Sequence, residues 1–552
     1  MKVLWKYKYL LLILVCCAAA HGLMFLDDGI YADDWLDYYA DFSSGGQAKF
    51  YEVISYVGRP FALLFYYSTA ILHAPLIFYR IVAFLSLSIS GLSVYAISKK
   101  IFNNLFFSAM LATLFVVFPG SKVNHWPSIS IYTLDQALFM LGFFLLWHSP
   151  GRNLISRVLI FALTSLLLLL SYDMRSLLVV HYFFIGIFIM YRNNFDLNSL
   201  KAYKRIVLNY SYFLLLPVLY WVALQYFFPL SHGWEATYDA SPSRVMAWRF
   251  LYSYLHFFVS LAKQFNQMAS IWAITNTYIA VIVVSLVTYI ATKKKSMPSG
   301  DTVGTFKTHA IICLFILVGS IFPYAVKGSL PTLNDFASRH LLITNLPLAY
   351  FIVSLVCFHF RDDSKHLTET GMQIFAVVIA SCILCSGYNY IRVEANWINN
   401  VSLAYSIKST PGAEDYSYYI VNINDKSTTY TNFPTHIYEW TGLFKLVWGN
   451  ESRLGLLGGF NDNDGPRSKI SEMKTLAQSM LAGNKYATEK YMMLTDLKPT
   501  GKLICLTAQA KEAYNDLNLV MTYYNYKLFD HDKLEPWLGH LWNVTVDYTA
   551  GI

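Results

Sequence analysis

The sequence predicts an all-α polytopic membrane bundle of about 11 transmembrane helices, followed by a C-terminal soluble α/β domain on the outer face. Three observations predict it. Of the 552 residues, 56% are hydrophobic and only 14% charged, well below the roughly 25% charged residues of soluble domains. Apolar runs recur along the first two thirds of the chain at lengths near the about 20 residues that cross a bilayer. Beyond residue 390 the composition turns polar and rich in turn formers, as in Asn461-Asp462-Asn463-Asp464-Gly465-Pro466.

In order, the apolar runs cover 9–26, 75–98, 104–118, 134–148, 158–171, 177–191, 206–229, 270–291, 308–326, 341–360 and 371–388. The first reads as a retained anchor rather than a cleaved signal peptide, because long apolar runs keep recurring behind it. A further stretch, 61–73, reads as a re-entrant or interfacial helix.

Lys and Arg set the orientation, since positive loops stay on the cytoplasmic side. A cytoplasmic N-terminus gathers Lys2, Lys6, Lys8, Lys99, Lys100, Arg152, Arg157, Arg192, Lys201, Lys204, Arg205, Lys293, Lys294, Lys295, Lys307, Arg361 and Lys365 on that side. The remaining connections, 27–74, 119–133, 230–269, 327–340 and everything after 390, are longer and less basic. Function lives on loops held by a rigid scaffold, so the working face is the outer one. No GxxxxGK[ST] or GxGxxG pattern occurs, which removes the usual nucleotide-binding signatures. The net charge of +8 follows from topology and does not indicate nucleic-acid binding.

The division into domains is 1–390 for the transmembrane part, with its first outer loop at 27–74, and 391–552 for the outer domain. In the latter, Tyr416–Ile423, Leu503–Leu506 and Val544–Tyr548 read as strands and Ile470–Tyr491 as a helix. Six of the seven cysteines fall in expected spans, leaving Cys505 alone outside them, so no disulfide framework is available there. The pair Cys382 and Cys385 sits inside an apolar run without a matching pair elsewhere, and reads as packing. Trp234, Trp248, Tyr252 and Tyr254 in the 230–269 connection read as an interfacial aromatic belt.

The chemistry-bearing residues cluster in the first outer loop. Asp27, Asp28, Asp33 and Asp34 lie in LDDGIYADDWLDYY, immediately after the first apolar run. Isolated acids at such a place form turns and helix caps. Crowded carboxylates resist simultaneous ionisation, which raises the proton affinity of one member towards that of a useful base. Asp173, after a run of leucines and near Arg175, is a second ionisable group at the end of a span. Asp135 in Tyr132-Thr133-Leu134-Asp135-Gln136 reads as a helix-start acid, and His125 with Trp126 as an interfacial anchor.

A resemblance follows from the order of these short motifs. The pair Asp33-Asp34 before Trp35, Gly58-Arg59-Pro60 opening the next apolar stretch, His125-Trp126, Ser171-Tyr172-Asp173 and Ser338-Arg339-His340-Leu341-Leu342 all sit on the outer side. Over residues 1–390 this arrangement resembles the membrane-embedded GT-C glycosyltransferases, and is most similar to the bacterial GtrII-like glucosyltransferases that decorate O-antigen and other surface glycans.

That resemblance implies a GT-C-like fold in the bacterial inner (plasma) membrane, with the C-terminal domain extracytoplasmic. It implies inverting transfer of a sugar from a polyprenyl-phosphate donor to a glycan or glycolipid acceptor of the cell envelope, such as lipopolysaccharide. An acid of the first outer loop serves as base in that family, which matches Asp34 or Asp33, with Asp173 in a supporting place where relatives often carry Glu. The departing phosphate needs cations near the membrane surface, and Arg59, Arg339, His340 and Lys327 meet that condition. No cofactor is required and no metal ligand set is named, although a divalent cation bridging acids and phosphate stays open. Two rivals remain: a transporter or flippase of lipid-linked sugars, for which internal repeats are missing, and a glycan polymerase or ligase.

Overall fold

The computed structural model describes residues 7–31, 34–35, 58–72, 75–121, 124, 126–148, 154–193, 204, 207–229, 248, 250–263, 306–327, 336–360, 367–423, 437–449, 453–460, 469–470, 473–475, 502–511 and 515–551. The chain is helical from its first described turn. The helices are α1 (Lys8–His21), α2 (Pro60–Ile71), α3 (Leu76–Phe102), α4 (Leu105–Val117), α5 (Pro127–His148), α6 (Leu154–Ser171) and α7 (Ser176–Arg192). They continue with α8 (Ser211–Phe227), α9 (Phe306–Lys327), α10 (Asn345–His359) and α11 (Glu369–Lys408). Short 3-10 stretches extend α1 (Gly22–Phe25) and lead into α10 (Phe336–Thr344).

Five of these segments are long and apolar enough to cross a membrane: Lys8–Phe25, Leu76–Phe102, Pro127–His148, Leu342–His359 and Glu369–Lys408. Shorter apolar helices match the expected runs at 104–118, 158–171, 177–191, 206–229 and 308–326. The expected span 270–291 and the expected helix at Ile470–Tyr491 lie outside the described residues, apart from a few positions of the latter. The stretch 61–73 is helical as α2, and residues 250–263, expected in an outer loop, are also helical. There the Tyr254 hydroxyl donates to the Val318 carbonyl of α9 at 3.1 Å, so this ring is tied to a helix as well as suited to an interface.

Local chemistry sets the helix ends. Proline opens α2 and α5, where the missing N–H costs nothing. Asn103 closes α3 in the left-handed conformation, and the next residue, Asn104, caps α4 by accepting from Phe107 N at 3.0 Å. The α5 helix starts seven residues before the expected 134, because the polar stretch 127–133 is part of its first two turns. Helix α4 lies inside the bundle, with every residue from Phe106 to Val117 buried. Helices α1, α3, α10 and α11 surround it, and α5 joins α3 to α6.

After α11 the chain builds a four-stranded sheet from β1 (Tyr418–Ile423), β2 (Leu454–Phe460), β3 (Lys502–Ala510) and β4 (Trp542–Gly551), in the order β2-β1-β3-β4. The central strand β1 pairs parallel with β2 and β3, and β4 closes one side antiparallel to β3. All six residues of β1 are buried, as expected for a parallel strand covered on both faces. Helices α12 (Ile437–Trp448), α13 (Asp516–Phe529) and α14 (Leu534–Gly539) accompany it. The boundary expected at residue 390 falls inside α11, which crosses it without a break and packs on α12, α13, α14 and β4.

One buried cluster therefore joins Ile30, Tyr31 and Trp35 of the first loop to Trp126 and Ile129 of α5, to Trp397 of α11 and to the sheet. The Trp35 ring lies 5.9 Å from that of Trp397. It also lies so close to Gly442 of α12 that a Cβ there would meet its Cε3 at 2.2 Å, so position 442 has room only for glycine.

Candidate functional site

Asp34 has no exposed surface. Its Oδ1 accepts from Ser128 N at 2.7 Å and its Oδ2 from Tyr31 N at 3.1 Å. Ser128 is the second residue of α5, so Asp34 caps that helix from across the chain and meets its positive dipole end. The stacking of Tyr31 on Trp126, with centroids 5.1 Å apart, holds the same junction. Both oxygens of Asp34, expected as the general base, are thus bound to backbone donors. Asp33 lies outside the described residues.

The carboxylate of Asp173 also caps a helix. It stands between α6 and α7, and accepts from Phe61 N (3.0 Å) and Ala62 N (3.2 Å) at the start of α2. Its Oδ2 also accepts from Arg59 Nε at 3.0 Å. Burial pushes the Asp173 carboxyl above its ordinary range, opposed by Arg59 and the two amides. The Gly58-Arg59-Pro60 motif acquires a reason here. Gly58 has φ +67°, its carbonyl accepts from Arg175 at 3.2 Å, and a Cβ would meet Arg175 Nη2 at 2.6 Å.

A third carboxylate completes the group. Asp135, on the third turn of α5 and fully buried, has its Oδ2 3.7 Å from Arg59 Nη2. Among the described residues, neither oxygen of Asp135 has a hydrogen-bond partner of normal geometry, although the Met174 backbone faces it. The guanidinium of Arg59 is mostly buried and lies over the Tyr132 ring at 4.4 Å. Two buried acids thus face one cation, and the group holds one more carboxyl than guanidinium. Sequence reading set Asp135 aside as a helix-start acid; its place on α5 follows from the earlier start at Pro127.

The other expected phosphate partners are placed less completely. Arg339 is partly exposed in the 3-10 stretch before α10, which packs on both α5 and α9. Lys327 ends α9 and His340 lies in the same 3-10 stretch as Arg339, but their side chains lie outside the described residues.

A second buried charge cluster involves the first aspartates. Asp27 Oδ1 accepts from Gly29 N (2.7 Å) and from the Tyr31 hydroxyl (2.8 Å), and lies 3.8 Å from Arg80 of α3. Arg80 also donates to the Gly29 carbonyl at 3.0 Å. From α11, Glu394 approaches the Tyr31 hydroxyl at 3.5 Å and accepts from the Tyr524 hydroxyl of α13 at 3.1 Å. Tyr524 further bonds the Leu26 carbonyl, and Lys527 pairs with Asp28. Burial, with the charges of Asp27 and Glu394, pushes both tyrosine hydroxyls far up, so they stay protonated donors.

Sequence reading missed Arg80 and Glu394. A lone Arg within an apolar run was the available signal for the first. Glu394 gave none, because it falls where the composition already reads as soluble. Comparison with family models, curated proteins and solved structures finds no match to this chain.

Proposed function

We propose that the chain is a membrane glycosyltransferase that moves a sugar from a polyprenyl-phosphate donor to a hydroxyl of a surface glycan or glycolipid, on the outer face of a bacterial inner membrane. The observation that carries this reading is the convergence of Asp135 and Asp173 on Arg59 at one end of α5 and α6. Inverting displacement needs a carboxylate to take the acceptor proton and a cation to meet the charge growing on the departing phosphate. Asp135 has the carboxylate least committed to hydrogen bonds, and it serves as the base. Arg59 supplies the cation, and Arg339, in the 3-10 stretch before α10, is a second candidate for the donor phosphate. Asp173 is a positioning residue that orients Arg59 while it caps α2.

In this assignment Asp34 holds the first loop on α5 and does not touch the substrate. The test uses the full chain in proteoliposomes with polyprenyl-phosphate glucose and a lipid-linked glycan extract, following release of polyprenyl phosphate. Transfer that is lost in Asp135→Asn and retained in Asp34→Asn supports the assignment. Full activity in Asp135→Asn removes the base. Sugar-lipid that crosses the bilayer without being consumed favours a flippase instead.

A further inference from the structure

Helix α13 buries Leu519, Val520 and Tyr523 and packs on α11. Its other side is apolar in an unusual way. Leu517 is 45% exposed, Met521 64%, Leu528 67% and Phe529 81%. At about 100° per residue, Tyr524, Leu517, Leu528 and Met521 fall side by side within roughly 60° of arc. Asn518 and Asn525 adjoin them on the side away from Tyr524, so the exposed surface has an apolar edge and a polar one.

The apolar edge has a neighbour. Tyr524, on that edge, bonds the Leu26 carbonyl just after the first span ends. Leu23, Phe25 and Leu26 are exposed there, and the same span exposes Leu11, Leu14 and Val15 lower down. The apolar surface of α13 thus continues the lipid-facing surface of a helix long and apolar enough to cross a membrane. Exposed apolar side chains in this number mark an interaction site.

We infer that α13 lies in the membrane interface at the face where α1 ends, with Leu517, Met521 and Leu528 in the boundary between headgroups and acyl chains. The occupant of the apolar edge is the lipid bilayer. An amphipathic helix lying in that plane buries its apolar side to a depth of about 5–10 Å. The Tyr524 bonds to Glu394 and Leu26, and the Lys527 pair with Asp28, fix its height against the bundle. The sheet is thereby held close to the bilayer.

The experiment places a bimane label at Met521→Cys and, separately, at Asn518→Cys in the full chain, with labelled wild type as background. Both positions are exposed, so neither label enters the core. In proteoliposomes of phosphatidylethanolamine and phosphatidylglycerol, the label at 521 is expected to shift to the blue and to be quenched by lipids carrying a nitroxide near the headgroup. The label at 518 is expected to be quenched more by aqueous iodide. Equal iodide quenching at both positions, without lipid quenching at 521, overturns the inference. So does a blue shift at 521 that vanishes as protein is diluted in lipid, which marks a second copy as the cover.

Discussion

The two buried charge clusters each set two carboxylates against one guanidinium, and they differ in how many hydrogen-bond donors reach those carboxylates. Around Asp27 and Glu394, two tyrosine hydroxyls, Arg80 and backbone groups supply donors, and Lys527 covers Asp28 at the partly exposed rim. Around Arg59, one guanidinium likewise faces two carboxylates, but among the described residues Asp135 has no hydrogen bond of normal geometry. The first arrangement ties α3, α11, α13 and the first loop into one body. The second leaves an acid with capacity for a proton, which is what general-base chemistry uses and what folding alone does not require.

Breaking the matched cluster should give the largest stability effect. Arg80→Ala leaves Asp27 and Glu394 buried without their cation, a change of about 3–5 kcal/mol, read as a loss of thermal stability in detergent. Asp34→Ala removes the acceptor for Ser128 N and Tyr31 N, which should cost about 2 kcal/mol. The transfer rate per folded molecule should hold, and this separates a cap from a base. Tyr524→Phe deletes a hydroxyl shared by Glu394 and Leu26, costs about 1 kcal/mol by the same melt, and should raise proteolysis after α11.

The smallest effect is a slope. Because the folded Asp173 carboxyl is raised above its unfolded value, its stabilising contribution is full below the unfolded value and is lost as pH rises through the folded one. Asp173→Asn has nothing to titrate. The wild type's advantage over Asp173→Asn should therefore shrink as pH rises above about 4, the ordinary carboxyl value, in a series of melts. A constant gap would show that Arg59 and the amides fully offset the burial.

Much of the helical scaffold was legible because apolar runs and charge punctuation are local properties. The run at 75–98 became α3, and Asn103 and Asn104 mark its end as the residue types suggest. The limits of α5 and α11 were not legible, since polar residues packed against other elements remain helical: Pro127 to Thr133 in one case and Asn389 to Lys408 in the other. Three strands were anticipated from their branched and aromatic residues, whereas β2, Leu454–Phe460, is weakened as a signal by its glycines.

The candidate site was half legible. Arg59 and Asp173 were named and the fold brings them to 3.0 Å. The acid tetrad stands out as costly in the sequence, but besides nearby backbone and Tyr31 groups Asp27 meets Arg80 of α3 and Asp34 meets Ser128 of α5, 94 residues on, and no local pattern reports such pairings. Asp135 was visible as a residue and invisible as a member of the Arg59 group.

The central claim is that the under-matched acid does the chemistry and the matched acids hold the frame. Release of polyprenyl phosphate from polyprenyl-phosphate glucose, measured side by side for Asp135→Asn and Asp34→Asn at equal amounts of folded protein, tests it most directly. The account predicts loss of release for Asp135→Asn and wild-type release for Asp34→Asn; the reverse pattern would contradict it.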